Sequence, residues 1–163
     1  MFEGQLVAIC IAADKCAPLR VVEQAEAVPG RGLVGDRYYA RQGTFWKNDS
    51  PDREVTLIES EAIEALAGEC QITIAPEQAR RNLVTRAVPL NHLVGREFVV
   101  GSVRLRGIRL CEPCGHLQKL TLAGIKDGLM HRGGLRAQVI IGGLIRPSDV
   151  IRPADAATAP SPL

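Results

Sequence analysis

Apolar residues recur along this chain mostly with a period of two. The runs QLVAICIA (5–12), LRVVEQAEAV (19–28), EVTLIE (54–59), REFVVGSVRLRGIRL (96–110), RAQVIIGG (136–143) and DVIRP (149–153) alternate or are rich in β-branched residues, as buried and half-buried strands do. Gly101-Ser102 interrupts the fourth run and predicts a hairpin. Helical spacing is rarer. ESEAIEALAGE (59–69) sets Ile63 and Leu66 on one face with Ala62 beside them, and predicts a helix that stops at Gly68. Its glutamates, Glu59, Glu61 and Glu64, read as a wet face. CGHLQKLTLAG (114–124) spaces Leu117, Leu120 and Leu122 in a roughly helical way, and GIKDGLMHRGG (124–134) has room for one more turn.

Helices of ten or more residues are missing between most of these strands, which argues against a sheet built from parallel βαβ units. The expected fold class is therefore mainly β, a closed or partly closed barrel with two or three short helices. No repeat or linker divides the chain, so residues 1–153 read as one domain and ADAATAPSPL (154–163) as a flexible tail. Residues 29–53 read mostly as loop, within which Tyr38, Tyr39, Phe45 and Trp46 lie close together. Long loops in compact domains are usually functional or disordered, and the aromatic content argues against disorder. Phe45 and Trp46 read either as a lid over a pocket or as a packed loop anchor.

Composition narrows the class. With 163 residues, 46% of them hydrophobic and 23% charged, the chain suits one globular domain with a real core. A formal net charge of only +2 gives no broad attraction to nucleic acid or membrane. The apolar run QVIIGGLI (138–145) is too short to span a bilayer. The start, MFEGQLVAIC, lacks the basic region and cleavage pattern of a signal peptide. Five cysteines at irregular spacing do not suit a secreted disulfide framework, and reduced thiols in a cytoplasm fit better.

The chemistry centres on RLCEPCGHL (109–117). Cys10 in a strand and Cys70 at a helix exit read as small buried hydrophobes, and Cys16 in the polar loop AADKCAPLR reads either way. Cys111 and Cys114 differ, because Glu112, Pro113, Gly115 and His116 make a poor core segment. They sit where a strand meets a helix, a place where helix dipole and free N–H groups favour thiolate; His116 could add to this. A structural zinc site commonly needs two paired motifs, and only one pair is present. A c-type haem site needs histidine directly after the second cysteine, where Gly115 stands. A thioredoxin-like dithiol remains open, although its motif belongs early in a βαβ context. So does a single reactive thiolate that binds a soft metal or carries sulfur.

Other segments point toward an anionic ligand. GRGLVGDRYY (30–39) places three glycines around Arg31 and Arg37, letting backbone approach a ligand closely beside positive charge; Asp36 reads as a brace for Arg37. ARRNLVT (79–85) places Arg80 and Asn82 two apart, on one face if this is a strand, and an arginine fork beside an amide suits phosphate. HRGGLRAQ (131–138) brings His131, Arg132 and Arg136 around a Gly-Gly turn. His92 in LNHLVG reads as a turn residue.

GLVGDRYY, EVTLIESEAIEAL, ARRNLVTRAVPLNHLVGREFVVGSVRLRGIRLCEPCGHL and HRGGLRAQVIIGG, in this order, strongly resemble the MOSC domain, named for the C-terminal domain of molybdenum-cofactor sulfurases. The resemblance runs from about Gln5 to Pro153 and looks like the stand-alone bacterial form. It implies a mainly β, barrel-like fold and a cysteine that ligates molybdenum or handles sulfur. That cysteine matches Cys114, with Cys111 a resolving, supporting or structural neighbour. The family's cofactor-contacting arginines, asparagine and aspartate match Arg80, Asn82, Arg37 and Asp36. The resemblance further implies molybdenum cofactor (molybdopterin), reduction of N-hydroxylated compounds with electrons from a donor protein, or a persulfide received from a cysteine desulfurase that uses pyridoxal phosphate. Two other classes stand beside an enzyme of this kind: a non-catalytic module that binds a pterin or protein partner, and a dithiol oxidoreductase cycling Cys111 and Cys114.

Overall fold

A computed structural model describes residues 1–42 and 50–155. Phe45 and Trp46, and the tail from 156, lie outside the described residues. The strands are β1 (Gly4–Ile11), β2 (Arg20–Val22), β3 (Ala25–Val28), β4 (Gly32–Leu33), β5 (Val55–Glu59), β6 (Leu83–Arg86), β7 (Glu97–Val100), β8 (Val103–Leu110), β9 (Leu135–Ile141), β10 (Gly143–Ile145) and β11 (Val150–Pro153). The helices are α1 (Ser60–Cys70), α2 (Gly115–Leu120) and α3 (Ile125–Gly128).

Seven strands run in the order β11-β7-β8-β9-β5-β6-β1, and β1 closes the ring by pairing with β11. The fold is thus mainly β, a closed barrel with three short α-helices among the described residues. Strand β1 does double duty: Gly4 and Gln5 face β11, while Ile9–Ile11 face β2. The only parallel pair among the named strands is β5 with β6. A parallel step needs a crossover, and α1 supplies it. A second sheet, β10-β3-β4, sends Ala25, Ala27, Leu33 and Ile145 into the barrel's core.

Two cores lie on opposite faces of the β1–β6–β5 wall. Leu6, Ile9, Val55, Leu57, Leu83, Phe98, Leu105, Leu135 and Ile151 fill the barrel. Cys10, Ile58 and Val84 face outward, where α1, α2 and α3 cover them with Ala62, Leu66, Leu117, Ile125 and Leu129. A strand buried on both faces has no polar side to show. This explains why β1 is apolar at every position from Leu6 to Ile11. Full burial of a side chain such as Leu66 contributes about 2 kcal/mol, so α1 is held chiefly by its packed face.

Several boundaries differ from expectation. The 19–28 run splits at Glu23-Gln24 into β2 and β3, which belong to different sheets. The 136–143 run likewise divides at Gly142 into β9 and β10. The hairpin stands as expected, with Gly101 at φ +58° between β7 and β8. Helix α1 continues through Gly68 and ends at Gln71, which takes the left-handed cap itself (φ 54°), its N–H donating to Leu66 O.

The glutamates of α1 do more than face water. Glu64 pairs with Arg86, and Glu61 accepts the Ala87 N–H at 2.9 Å, tying the helix to the end of β6. Burial works against the Glu61 charge, but the Ala87 N–H, the Ser60 hydroxyl and Arg86 outweigh it and lower its pKa. A depressed folded-state value stabilises the fold above the unfolded value of 4.5 and ceases to do so as pH falls through the folded value. Glu61→Gln should therefore cost up to about 1 kcal/mol near neutrality. In urea melts from pH 7 to 3, the gap from wild type should close below about pH 4; a gap independent of pH would refute this account.

Candidate functional site

The barrel places a small open cleft, of about 50 Å³, on its outer face. Strands β5 and β9 pair Thr56 with Arg136, and both residues line it. Arg37 and Tyr38 arrive from the loop after β4, Arg80 and Arg81 from the turn before β6, and Lys15 from the loop after β1. The segment after β8 supplies Cys111, Glu112, Cys114, His116 and Leu117. Among the described residues, five cations thus surround two thiols, with Glu112 the one carboxylate in the lining.

Backbone geometry holds the thiol segment in place. The Cys111 N–H donates to Gly134 O at 2.8 Å. Gly133 packs so closely that a Cβ there would lie 2.5 Å from Cys111 O and 2.8 Å from Pro113 Cδ. Arg81, nearly buried, clamps both sides: its Nε donates to Gly133 O at 2.9 Å and its Nη2 to Cys111 O at 3.1 Å. Cys114 begins α2 as its N-cap in extended conformation (φ −136°, ψ 172°). It is half-buried against the outer core, whereas Cys111 is 3% exposed. Both are free thiols.

The arginines are fixed rather than trailing. Asp36, fully buried, accepts from the Ala12 and Tyr38 amides and pairs with Arg37 at 3.1 Å, so it braces Arg37 and the loop together. Arg37 also stacks on Tyr38 at 4.8 Å. Arg80 donates to Ala17 O at 2.9 Å and Lys15 O at 3.3 Å, fastening the β1–β2 loop to the rim. Burial, then the neighbouring charge of Arg37, pulls the Arg80 pKa down. For Arg136 burial again opposes the charge, but Cys111, Tyr38 and Asp52 outweigh it and push the value up. Its Nη1 donates to Asp52 O at 3.3 Å, while its Nε is buried with no partner among the described residues.

The structure brings together Arg37, Arg80, Arg136, Cys111, Cys114 and His116, with Asp36 behind Arg37. Besides Asp36, it leaves two expected residues, Asn82 and Arg132, out of the lining. The strand premise behind Arg80 and Asn82 fails, because Arg80 sits in a left-handed turn (φ 57°) and β6 begins only at Leu83. The Asn82 side chain turns inward, accepting from the Thr56 amide (3.1 Å) and hydroxyl (3.2 Å) and donating to Cys10 O (3.1 Å). Arg132 reaches away to Gly128 O and Glu69. Arg81, Lys15 and Thr56 join the lining with no signal in the sequence that marked them, and Tyr38 joins it from the aromatic loop. Alternation assigned only every second residue of ARRN, whereas the turn puts both arginines on the cleft. Elsewhere, Arg31 lies on Tyr39 and donates to its carbonyl. His131 is exposed beside Glu112. Burial, then Glu77, pushes the Cys10 thiol up to about 12, which suits its structural place.

A family model described as MOSC domain matches residues 45–152, about two thirds of the chain. The chain belongs to the MOSC domain family. Comparison with the curated proteins finds no match. Among solved structures, this MOSC domain resembles YuaD from Bacillus subtilis with a TM-score of 0.75 at 16% identity, over 93% of this chain and 97% of that one. It resembles YiiM from Geobacillus stearothermophilus with a TM-score of 0.72 at 13% identity, over 96% and 77% of the two chains. For YiiM from Escherichia coli the values are 0.64, 17%, 93% and 70%. At such identities the likeness is one of fold. Among the described residues no three His, Cys, Asp or Glu side chains gather as a metal cluster, and no helix is long and apolar enough to cross a membrane.

Proposed function

We propose that the cleft of this MOSC domain binds molybdenum cofactor, with Cys114 as the protein's thiolate ligand, and that the protein reduces N-hydroxylated small molecules with electrons from a separate donor protein. The observation that carries this reading is the convergence of Lys15, Arg37, Arg80, Arg81 and Arg136 on the two thiols of one cleft. Guanidinium groups recognise phosphate through paired, charge-assisted hydrogen bonds, and a thiolate is a soft donor suited to a soft metal centre. The donor set fits the cofactor in a further respect. With no protein cluster of metal ligands among the described residues, a metal here would need most of its ligands from a group that brings its own sulfurs, and the arginines would hold that group's phosphate. The buried Arg136 Nε, without a partner among the described residues, would gain an acceptor.

In this reading Arg37, Arg80 and Arg136 neutralise and orient the anionic part. Arg81 fixes the Cys111 carbonyl and, through it, the thiol segment. His116, on the same wall as Cys114, is placed to move a proton at the cleft. The cofactor, when bound, supplies the two-electron redox chemistry. Two thiols on one cleft also favour a second reading: with or without metal, Cys114 carries a persulfide delivered by a pyridoxal-phosphate desulfurase, and Cys111 serves as its neighbour. A cytoplasmic setting follows from either role, since both need reduced thiols.

Elemental analysis and thiol mass mapping of protein from its native source separate these readings. Stoichiometric molybdenum that disappears in Cys114→Ser is expected for the first. A metal-free persulfide on Cys114 would support the second. Absence of both, with Cys114→Ser fully active in cells, would remove the two together.

A further inference from the structure

We infer that the same cleft takes sulfur directly from a small sulfane-sulfur oxyanion, thiosulfate being the simplest, with Cys114 as the acceptor. The inference rests on the reading of Cys114 as the cleft's reactive thiol and goes beyond it by naming the donor. It needs no partner protein.

The lining divides by chemistry. One segment, 111–117, contributes both sulfurs and the apolar wall of Leu117, and Cys114 itself packs against the outer core. The cations come from other segments: Lys15, Arg37, the Arg80–Arg81 pair and Arg136. Thiosulfate is divided in the same way, a soft, polarisable sulfur at one end and three hard oxygens with the negative charge at the other. Fixed guanidinium forks match such oxygens, and Arg136 in the lining has a buried Nε with no partner among the described residues. An orphaned buried donor in a cationic wall calls for an acceptor. Lys15 stands exposed at the mouth, where it adds to the attraction of a dianion.

The step balances without a further reagent. The Cys114 thiolate attacks the outer sulfur, forming a new S–S bond, while the bond from that sulfur to the sulfonate sulfur breaks. Sulfite leaves with the electron pair. The cysteine is oxidised to the persulfide level and the sulfonate sulfur is reduced to sulfite. The arginines stabilise the charge gathering on the departing group, where fixed donors contribute most. A second nucleophile then removes the outer sulfur and restores the thiolate; cyanide, which becomes thiocyanate, serves in the assay.

Full-length protein is incubated with thiosulfate and followed by intact mass, sulfite release and thiocyanate formation with cyanide. One added sulfur at Cys114 with one sulfite released is expected. Lys15→Ala, an exposed site where folding is not at stake, should raise KM for thiosulfate about threefold, and added salt should do the same. Arg136→Gln should lower kcat/KM about tenfold or more, with Arg136→Lys recovering part of it and thermal melts confirming the fold. Iodoacetamide, a neutral electrophile, reads the thiol independently. If it alkylates Cys114 while thiosulfate delivers no sulfur there, the inference falls and the reactive thiol stands. If Cys114 accepts neither, both fall. Sulfur arriving only on Cys16 or Cys70, or a KM indifferent to Lys15, Arg136 and salt, would also overturn it.

Discussion

Gly134→Ala is expected to destabilise the protein by about 3–5 kcal/mol, close to the whole stability of many small domains. Two costs coincide there. Gly134 sits at φ +117°, a conformation that side chains resist, and an added Cβ would lie 1.9 Å from Leu57 O. That oxygen belongs to β5, the strand against which β9 is registered through Leu57 and Leu135. Relief would require the Gly-Gly turn to withdraw, and with it the Gly134 carbonyl that receives the Cys111 N–H. The substitution should therefore lower the urea midpoint and, in protein still folded, change the alkylation rate of Cys114. Gly133→Ala should divide these effects. Its φ is not in the left-handed region, and its Cβ would press on Cys111 O and Pro113 rather than on the barrel. A smaller loss of stability with an equal change at the thiol is expected. Comparable stability for Gly134→Ala and wild type would refute the close-approach argument.

Asn82→Ala should be nearly as costly, about 2–4 kcal/mol, yet should spare ligand binding. The side chain is fully buried where β1, β5 and β6 meet. Its removal leaves the Thr56 amide and the Cys10 carbonyl without the partners they have at 3.1 Å, and water cannot readily replace it. Backbone ties at the same point, such as Cys10 N–H to Asn82 O at 2.7 Å, would survive, so the loss is confined to the amide. Denaturant melts combined with thiosulfate or cofactor-phosphate titrations check both halves. An Asn82→Ala protein of native stability with weakened binding would return this residue to the ligand's side.

The contrast between Asn82 and its neighbours marks where one-dimensional reasoning ends. Alternation works where the chain is regularly extended, as in β7 and β9, because successive side chains must then face opposite ways. It fails at 80–82, where left-handed Arg80 resets the phase three residues before the strand. Arg80 and Arg81 then share the cleft while Asn82 turns to the core. Arg132 was misplaced for a related reason. The Gly-Gly turn separates it from Arg136, and the short α3 directs it back toward α1, where Glu69 meets it at 2.7 Å. Lys15 gave no local signal, since its place on the rim depends on Arg80 holding carbonyls some 65 positions away in sequence.

By itself the sequence determined the class of fold, the hairpin, the three helical segments and the pair of thiols at a strand-to-helix junction. These follow from periodicity and from residue chemistry confined to a few neighbouring positions. Only the tertiary structure decided which charges meet those thiols. Barrel closure, the parallel β5–β6 crossover and the glycine turn against Cys111 bring distant segments together, and burial then selects which arginine faces the cleft and which polar side chain serves the core.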